Sequence, residues 1–167
     1  MLKYLLHYPQ TVIEQAQRLI TEERLGAWLL KKYPEPHEVR NNKALYDYTM
    51  ALKNRYLRKS APLNKVLFDG KIGQTHQALG LNISRTMAHG GKLKARKEIR
   101  IGTLFQHAPE ELLKMIVVHE LAHLREADHN RSFYQLCCHM EPDYHQLELD
   151  TRLYMTQLEM FGDIYQR

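Results

Sequence analysis

A chain of 167 residues, 44% hydrophobic and 26% charged, is long enough to bury a full core and too apolar to stay disordered. Its net charge of +5, from 24 Lys and Arg against 19 Asp and Glu, permits nucleic-acid contact without demanding it. No run approaches the roughly 20 apolar residues that span a bilayer, and the stretch before Pro9 breaks too early for a signal-peptide core, so the expected compartment is the cytoplasm, with no membrane partner.

Residues 9 to about 30 are expected to be helical. Pro9 suits a first turn, Val12, Ile13, Ala16, Leu19 and Ile20 recur at helical spacing, and Gly26 is placed to end or kink the helix. Tyr33-Pro34-Glu35-Pro36 is then a loop. A second helix starts near Asn41 or Asn42, either able to cap it, and stops before Pro62. Its outer face carries Lys53, Arg55, Arg58 and Lys59, read as a solvated helix end in preference to a binding patch.

From residue 64 the period changes to that of strands. Val66-Leu67-Phe68 precedes Asp69-Gly70, a turn signal, and Gly90-Gly91 marks a second turn. Leu93, Ala95, Ile99 and Ile101 share one parity while Lys92, Lys94, Arg96, Glu98 and Arg100 share the other, so residues 81–101 read as a hairpin with one buried face. Its charged face lacks the interleaved aromatics that stack on bases, which weakens a nucleic-acid role.

Pro109-Glu110-Glu111 opens a helix with a proline and two anions where the dipole favours them, and Leu112, Leu113, Ile116, Val117, Leu121 and Leu124 supply an apolar stripe. A polar turn follows over 125–130, then a helix from Ser132 to Met140 and another from about Asp143 to Met160. The adjacent Cys137 and Cys138 point about 100° apart on a helix and are expected to remain reduced thiols. The order of helices, strands and helices predicts an α+β fold, with the helix after Pro109 packed on a small antiparallel-containing sheet.

That helix carries His119-Glu120-Leu121-Ala122-His123, the pattern H-E-x-x-H, and His129 follows six residues on. Histidines four apart on a helix differ by about 40° in azimuth, so both imidazoles reach one cation from the same face. Three nitrogens leave a fourth position open, as in catalytic zinc sites and unlike structural ones. Zinc acidifies water, and Glu120 is placed to take the proton, which predicts metal-assisted amide hydrolysis.

His129 is the favoured third ligand. Glu148 and Glu141, or His139 and His145, are the alternatives. The spacing matches the metzincin pattern, but Glu126 stands where that pattern requires glycine. Asp128, Asp143 and Asp150 are candidates to accept from the other nitrogen of a ligating imidazole, and Tyr134, Arg131 or His89 to stabilise the developing oxyanion.

The stretch from Val117 to Leu124, the gap to His129 and the continuation Asn130-Arg131-Ser132-Phe133-Tyr134 resemble the YgjP-like metallopeptidases, relatives of the SprT-like zinc proteases. The resemblance covers roughly residues 80–145. It implies His119, His123 and His129 as Zn²⁺ ligands, Glu120 as catalytic base, and a minimal zincin-like domain over 61–167 behind an N-terminal helical extension over 1–60. It also implies a peptide or protein substrate lying along a sheet edge. Where family members carry Trp-Gly-Ser-Cys, this chain has Asn82-Ile83-Ser84-Arg85. The expected function is therefore a zinc-dependent metallopeptidase. The alternatives are a basic nucleic-acid-associated binding module with a structural metal, and an enzyme that has lost catalysis.

Overall fold

The protein is described by a computed structural model over residues 2–72, 80–89 and 92–165, of which 80–96 are described by their backbone alone. After a short 3-10 turn at Lys3–Leu5 come α1 (Gln10–Thr21), α2 (Leu25–Lys32) and α3 (Asn42–Tyr56). The strands β1 (Leu63–Asp69), β2 (Gly80–His89) and β3 (Lys92–Gly102) follow, and then α4 (Glu110–Ala122), α5 (Arg131–Met140) and α6 (Tyr144–Phe161). This is an α+β chain with its strands gathered in the middle of the sequence.

The sheet has the order β1-β3-β2. β2 and β3 form the expected antiparallel hairpin, from Gly80 opposite Ile101 to His89 opposite Lys92, while the turn expected at Gly90-Gly91 lies outside the described residues. β1 corrects a reading built on that hairpin alone: it pairs parallel to β3, with Val66 opposite Ile99 and Phe68 opposite Ile101, so the sheet is mixed. Parallel pairing of distant segments leaves no turn signature, and alternation on one strand cannot reveal its direction. On the outer face Arg100 donates to Glu98 at 2.7 Å and to Asp69 at 2.6 Å, joining β3 to β1. That guanidinium is committed to carboxylates and is not presented to nucleic acid.

The helix α4 is the centre of the core. Leu112, Leu113, Met115, Ile116, Val117, Val118, Leu121 and Ala122 have no exposed surface, so it is buried on all sides instead of along the single expected stripe. It packs against β2 and β3 of the sheet and against α3, α5 and α6. The first sixty residues contribute Leu5, Ala16, Ile20, Leu25, Leu29, Leu45 and Leu57 to the same core. Polar ties fix that packing: Tyr33 donates its hydroxyl to buried Asp150, which also pairs with Lys32 at 2.6 Å, and the His37 N–H donates to the Ala108 carbonyl at 2.9 Å.

The first helix ends earlier than glycine placement predicts. Glu23 adopts the left-handed conformation (φ 55°) that closes α1, and Gly26 lies within α2, where a Cβ would meet the Gln157 side chain at 3.4 Å. Asn41 caps α3 as expected, accepting from the Ala44 N–H at 2.8 Å, and the Asn42 side chain accepts from the Phe68 N–H at 3.0 Å to tie α3 to β1. Cys137 is buried and Cys138 half-buried, both as free thiols; burial pushes Cys137 up to about 12, where it is inert. Among the described residues no helix is long and apolar enough to cross a membrane.

Ile99 sits on the central strand with no exposed surface. Ile99→Ala is expected to destabilise the fold by about 2–5 kcal/mol in urea unfolding, the range for emptying a fully packed aliphatic site.

Candidate metal centre

The end of α4 delivers His119 and Glu120 from its last turn and His123 at its C-cap. The chain then turns within two residues: Leu124 bonds back to the Leu121 carbonyl, and Arg125 and Glu126 both bond back to Ala122. Glu23 is the one non-glycine residue with positive φ among the described residues, so this turn needs no left-handed residue at Glu126 and no metzincin glycine. The next helix starts when Asn130 accepts from the Phe133 N–H at 2.9 Å. That cap stands between His129, which is exposed, and Phe133, which is fully buried.

Three imidazoles converge on one point. The His123 Nε2 lies 3.3 Å from the His119 Nε2 and 3.0 Å from the His129 Nε2, and the three donor atoms all lie within 4.8 Å of one another. The Phe133 ring backs all three, with centroids 4.9, 4.6 and 4.9 Å from His119, His123 and His129. Among the described residues this is the one group of three or more His, Cys, Asp or Glu side chains close enough to share an ion.

The outer nitrogens settle which tautomers face inward. The Nδ1 of His123 lies 2.9 Å from the Glu126 carbonyl, which only accepts, so that nitrogen carries the proton. The Nδ1 of His119 lies 2.7 Å from the Tyr144 hydroxyl, whose oxygen is free to accept the imidazole proton, and the nearby Glu148 carboxylate favours that arrangement by its charge. Both Nε2 atoms then turn lone pairs toward the shared point, where bare lone pairs about 3 Å apart repel. A cation between them removes the repulsion, so the donor set fits a metal ion.

The electrostatics agree. Burial, and then His123 and His129 beside it, lower His119 to about 3, and burial together with the neighbouring His129 also lowers His123, so these two imidazoles are held toward their neutral forms. Burial alone pushes Glu120, 2% exposed, up to about 8 in the metal-free chain. Its Oε2 lies 3.9 Å from the His119 Nε2, close enough for a dication held by the imidazoles to favour the carboxylate form.

The other sequence candidates are placed elsewhere. Glu141 pairs with Lys114 at 3.2 Å, Glu148 with Arg152 at 3.5 Å, His139 lies edge-on to Tyr56, and His145 packs against Tyr134 and Tyr144. Asp150 is held by Tyr33, Lys32 and Gln146, and Asp143 begins α6. Asp128 reaches His123 only through its charge. The partners of the outer nitrogens are Tyr144 and a backbone carbonyl, neither of which the spacing of acidic residues points to. Tyr134 lies 6.4 Å from His129 ring to ring and is half-buried, Arg131 is exposed at the start of α5, and the His89 side chain lies outside the described residues.

Residues 71–152 match the model of the YgjP-like metallopeptidase domain. A protein of Escherichia coli (strain K12) named UTP pyrophosphatase is 55% identical over 159 residues, covering 95% of each chain. The chain belongs to the YgjP-like family. No solved structure matches it significantly. The family description and the relative's name both specify hydrolases, and the chain is accordingly a hydrolase; they differ in the bond they name.

Two outcomes follow from the site's outer contacts and buried charge. Tyr144→Phe removes the acceptor of the His119 Nδ1 proton while keeping the ring, and metal affinity is expected to fall about 10-fold or more in competition titrations with a chelating dye. For Glu120 the folded value lies above the unfolded value of 4.5, so its contribution to stability is complete below that pH and lost as pH rises through about 8. The depressed His119 contributes in the opposite direction up to its unfolded value of 6.5, so chelator-treated protein is expected to lose thermal stability from about pH 6.5 to about pH 8, and Glu120→Gln to abolish that decline. An identical decline in the variant would place the titrating group elsewhere.

Proposed function

We propose that this protein is a zinc-dependent nucleoside triphosphate pyrophosphatase acting on UTP. The convergence of three imidazole nitrogens beside a buried carboxylate carries the hydrolytic part of this reading. The substrate follows the UTP pyrophosphatase that shares 55% identity across nearly the whole of both chains. All-nitrogen donors suit zinc, and a tetrahedral ion with bonds of about 2.0–2.1 Å sets its ligands about 3.3 Å apart, near the 3.3 and 3.0 Å spacings here.

His119, His123 and His129 would hold the ion, which when bound supplies Lewis acidity and makes water acidic near neutral pH. Glu120 accepts the proton of the attacking water as its oxygen bonds to the α-phosphorus. The α–β anhydride bond breaks, and the electron pair leaves with pyrophosphate, giving UMP. The proton passes from Glu120 to solvent or product. Phe133 closes one side of the site to water, while Tyr144 and the Glu126 carbonyl hold two imidazoles in the tautomer that leaves Nε2 bare.

A second reading, peptide hydrolysis by the same groups, is favoured by the family description and by β2, which lies at the edge of the sheet against α4. An extended peptide would add to that edge as a strand. One assay separates the two. Zinc-loaded protein is expected to release pyrophosphate from UTP and to leave casein and peptide libraries intact, and Glu120→Gln to keep its zinc while losing about 10²–10⁴-fold in rate. Cleavage of peptides without turnover of UTP would overturn the nucleotide reading in favour of the peptidase.

A further inference from the structure

A groove of about 430 Å³ opens between the end of α3 and the end of α4. Arg55, Arg58 and Lys59 line one side, Arg125 with Leu124 lines the other, and no carboxylate lines it. All four cations are exposed. The cations paired with carboxylates, from Lys3 with Glu159 to Arg152 with Glu148, all lie outside this groove, and among the described residues none of these four is in an ion pair.

The basic wall is built firmly. Leu57 is buried, its N–H bonds to the Lys53 carbonyl at 2.7 Å, and the Ser60 N–H bonds back to the Leu57 carbonyl at 3.0 Å. The Lys53 ammonium, 4% exposed, donates to the Ser60 carbonyl at 3.3 Å, closing the turn that presents Arg58 and Lys59 and adding a fifth positive charge beneath it. Arg55 lies over the Tyr56 ring at 5.0 Å. Helix ends attract cations to their free carbonyls, which accounts for Arg55 in the last turn of α3. It does not account for four cations from two helix ends facing one groove without a counterion, since like charges so placed repel unless an anion joins them.

The opposite wall belongs to the metal centre's own loop. Leu124 and Arg125 directly follow His123, and the Arg125 N–H is bonded to the Ala122 carbonyl at 3.1 Å. We infer that this groove is a phosphate subsite that receives the terminal phosphates of the nucleotide and holds them as the pyrophosphate leaving group. The inference rests on the nucleotide reading for its substrate and on the unpaired cations for its place. Guanidinium groups bind phosphate oxygens in pairs, and three arginines around one groove match a diphosphate.

The test uses inorganic pyrophosphate as probe, in calorimetry on chelator-treated protein, beside UTP kinetics on the zinc-loaded protein. Arg58→Gln/Lys59→Gln/Arg125→Gln is expected to weaken pyrophosphate binding at least 10-fold and to raise the KM for UTP at least 10-fold. Arg18→Gln/Lys31→Gln/Lys65→Gln, which removes the same charge from exposed sites elsewhere, is expected to change neither. Arg58→Gln and Arg125→Gln, taken singly, report on each wall should the triple variant fold poorly, and each is expected to weaken pyrophosphate binding. Equal losses in the two triple variants would overturn the subsite, as would a single-stranded RNA that binds the groove more tightly than pyrophosphate. Groove-dependent pyrophosphate binding without UTP turnover would keep the subsite and remove the UTP reading. UTP turnover with KM and pyrophosphate affinity unchanged in the groove variants would do the reverse.

Discussion

The desolvation of the end of α4 governs the rest of the structure. A helix whose apolar residues are buried on every side ends in a half-buried imidazole and a carboxylate that water barely reaches, and burial drives both toward their neutral forms, His119 to about 3 and Glu120 to about 8. Neutral imidazoles are metal ligands, and a buried carboxylate beside a dication is a base held ready without solvent to reorganise. The same burial that stabilises the core therefore sets the protonation of the groups beside the three imidazoles.

Rigidity around the pocket comes from ordinary elements used twice. Asn130 caps α5 and in doing so separates His129 from Phe133 by a fixed turn; Phe133 is core and also the common backing of three imidazoles. Tyr144, fully buried at the start of α6, is packing for α4 and the acceptor that orients His119. Because α6 also meets α2 and the Lys3–Leu5 turn, the helices of the first sixty residues are joined through it to α4.

Much of this was legible in the sequence, for physical reasons that can be named. Four-residue spacing on a proline-opened helix is enough to bring His119 and His123 to one face, and His129 lies within the short turn that the chain can make without glycine. The caps at Asn41 and Asn130 follow from side chains that mimic a backbone acceptor. What was hidden depends on tertiary contact. Tyr144 meets His119 from 25 residues away, the Glu126 carbonyl acts through an atom every residue has, and β1 joins β3 in parallel across an intervening hairpin. The break at Glu23 was hidden because a glutamate takes a conformation usually left to glycine. The cations at the end of α3 read in sequence as a solvated helix end, because nothing in their spacing reveals that Arg125, far along the chain, lines the same groove.

Phosphoanhydride and peptide hydrolysis ask the same of this centre, a water made nucleophilic at neutral pH, and differ in what holds the substrate beside it. The account therefore stands first on the ion and its ligands. X-ray absorption at the zinc edge of the zinc-loaded protein tests that most directly. The account predicts an all-nitrogen and oxygen shell with imidazole scattering at about 2.0–2.1 Å, diminished by one imidazole in His129→Ala. A sulfur shell at about 2.3 Å, which would draw on Cys137 or Cys138, or a spectrum unchanged in that variant, would contradict it.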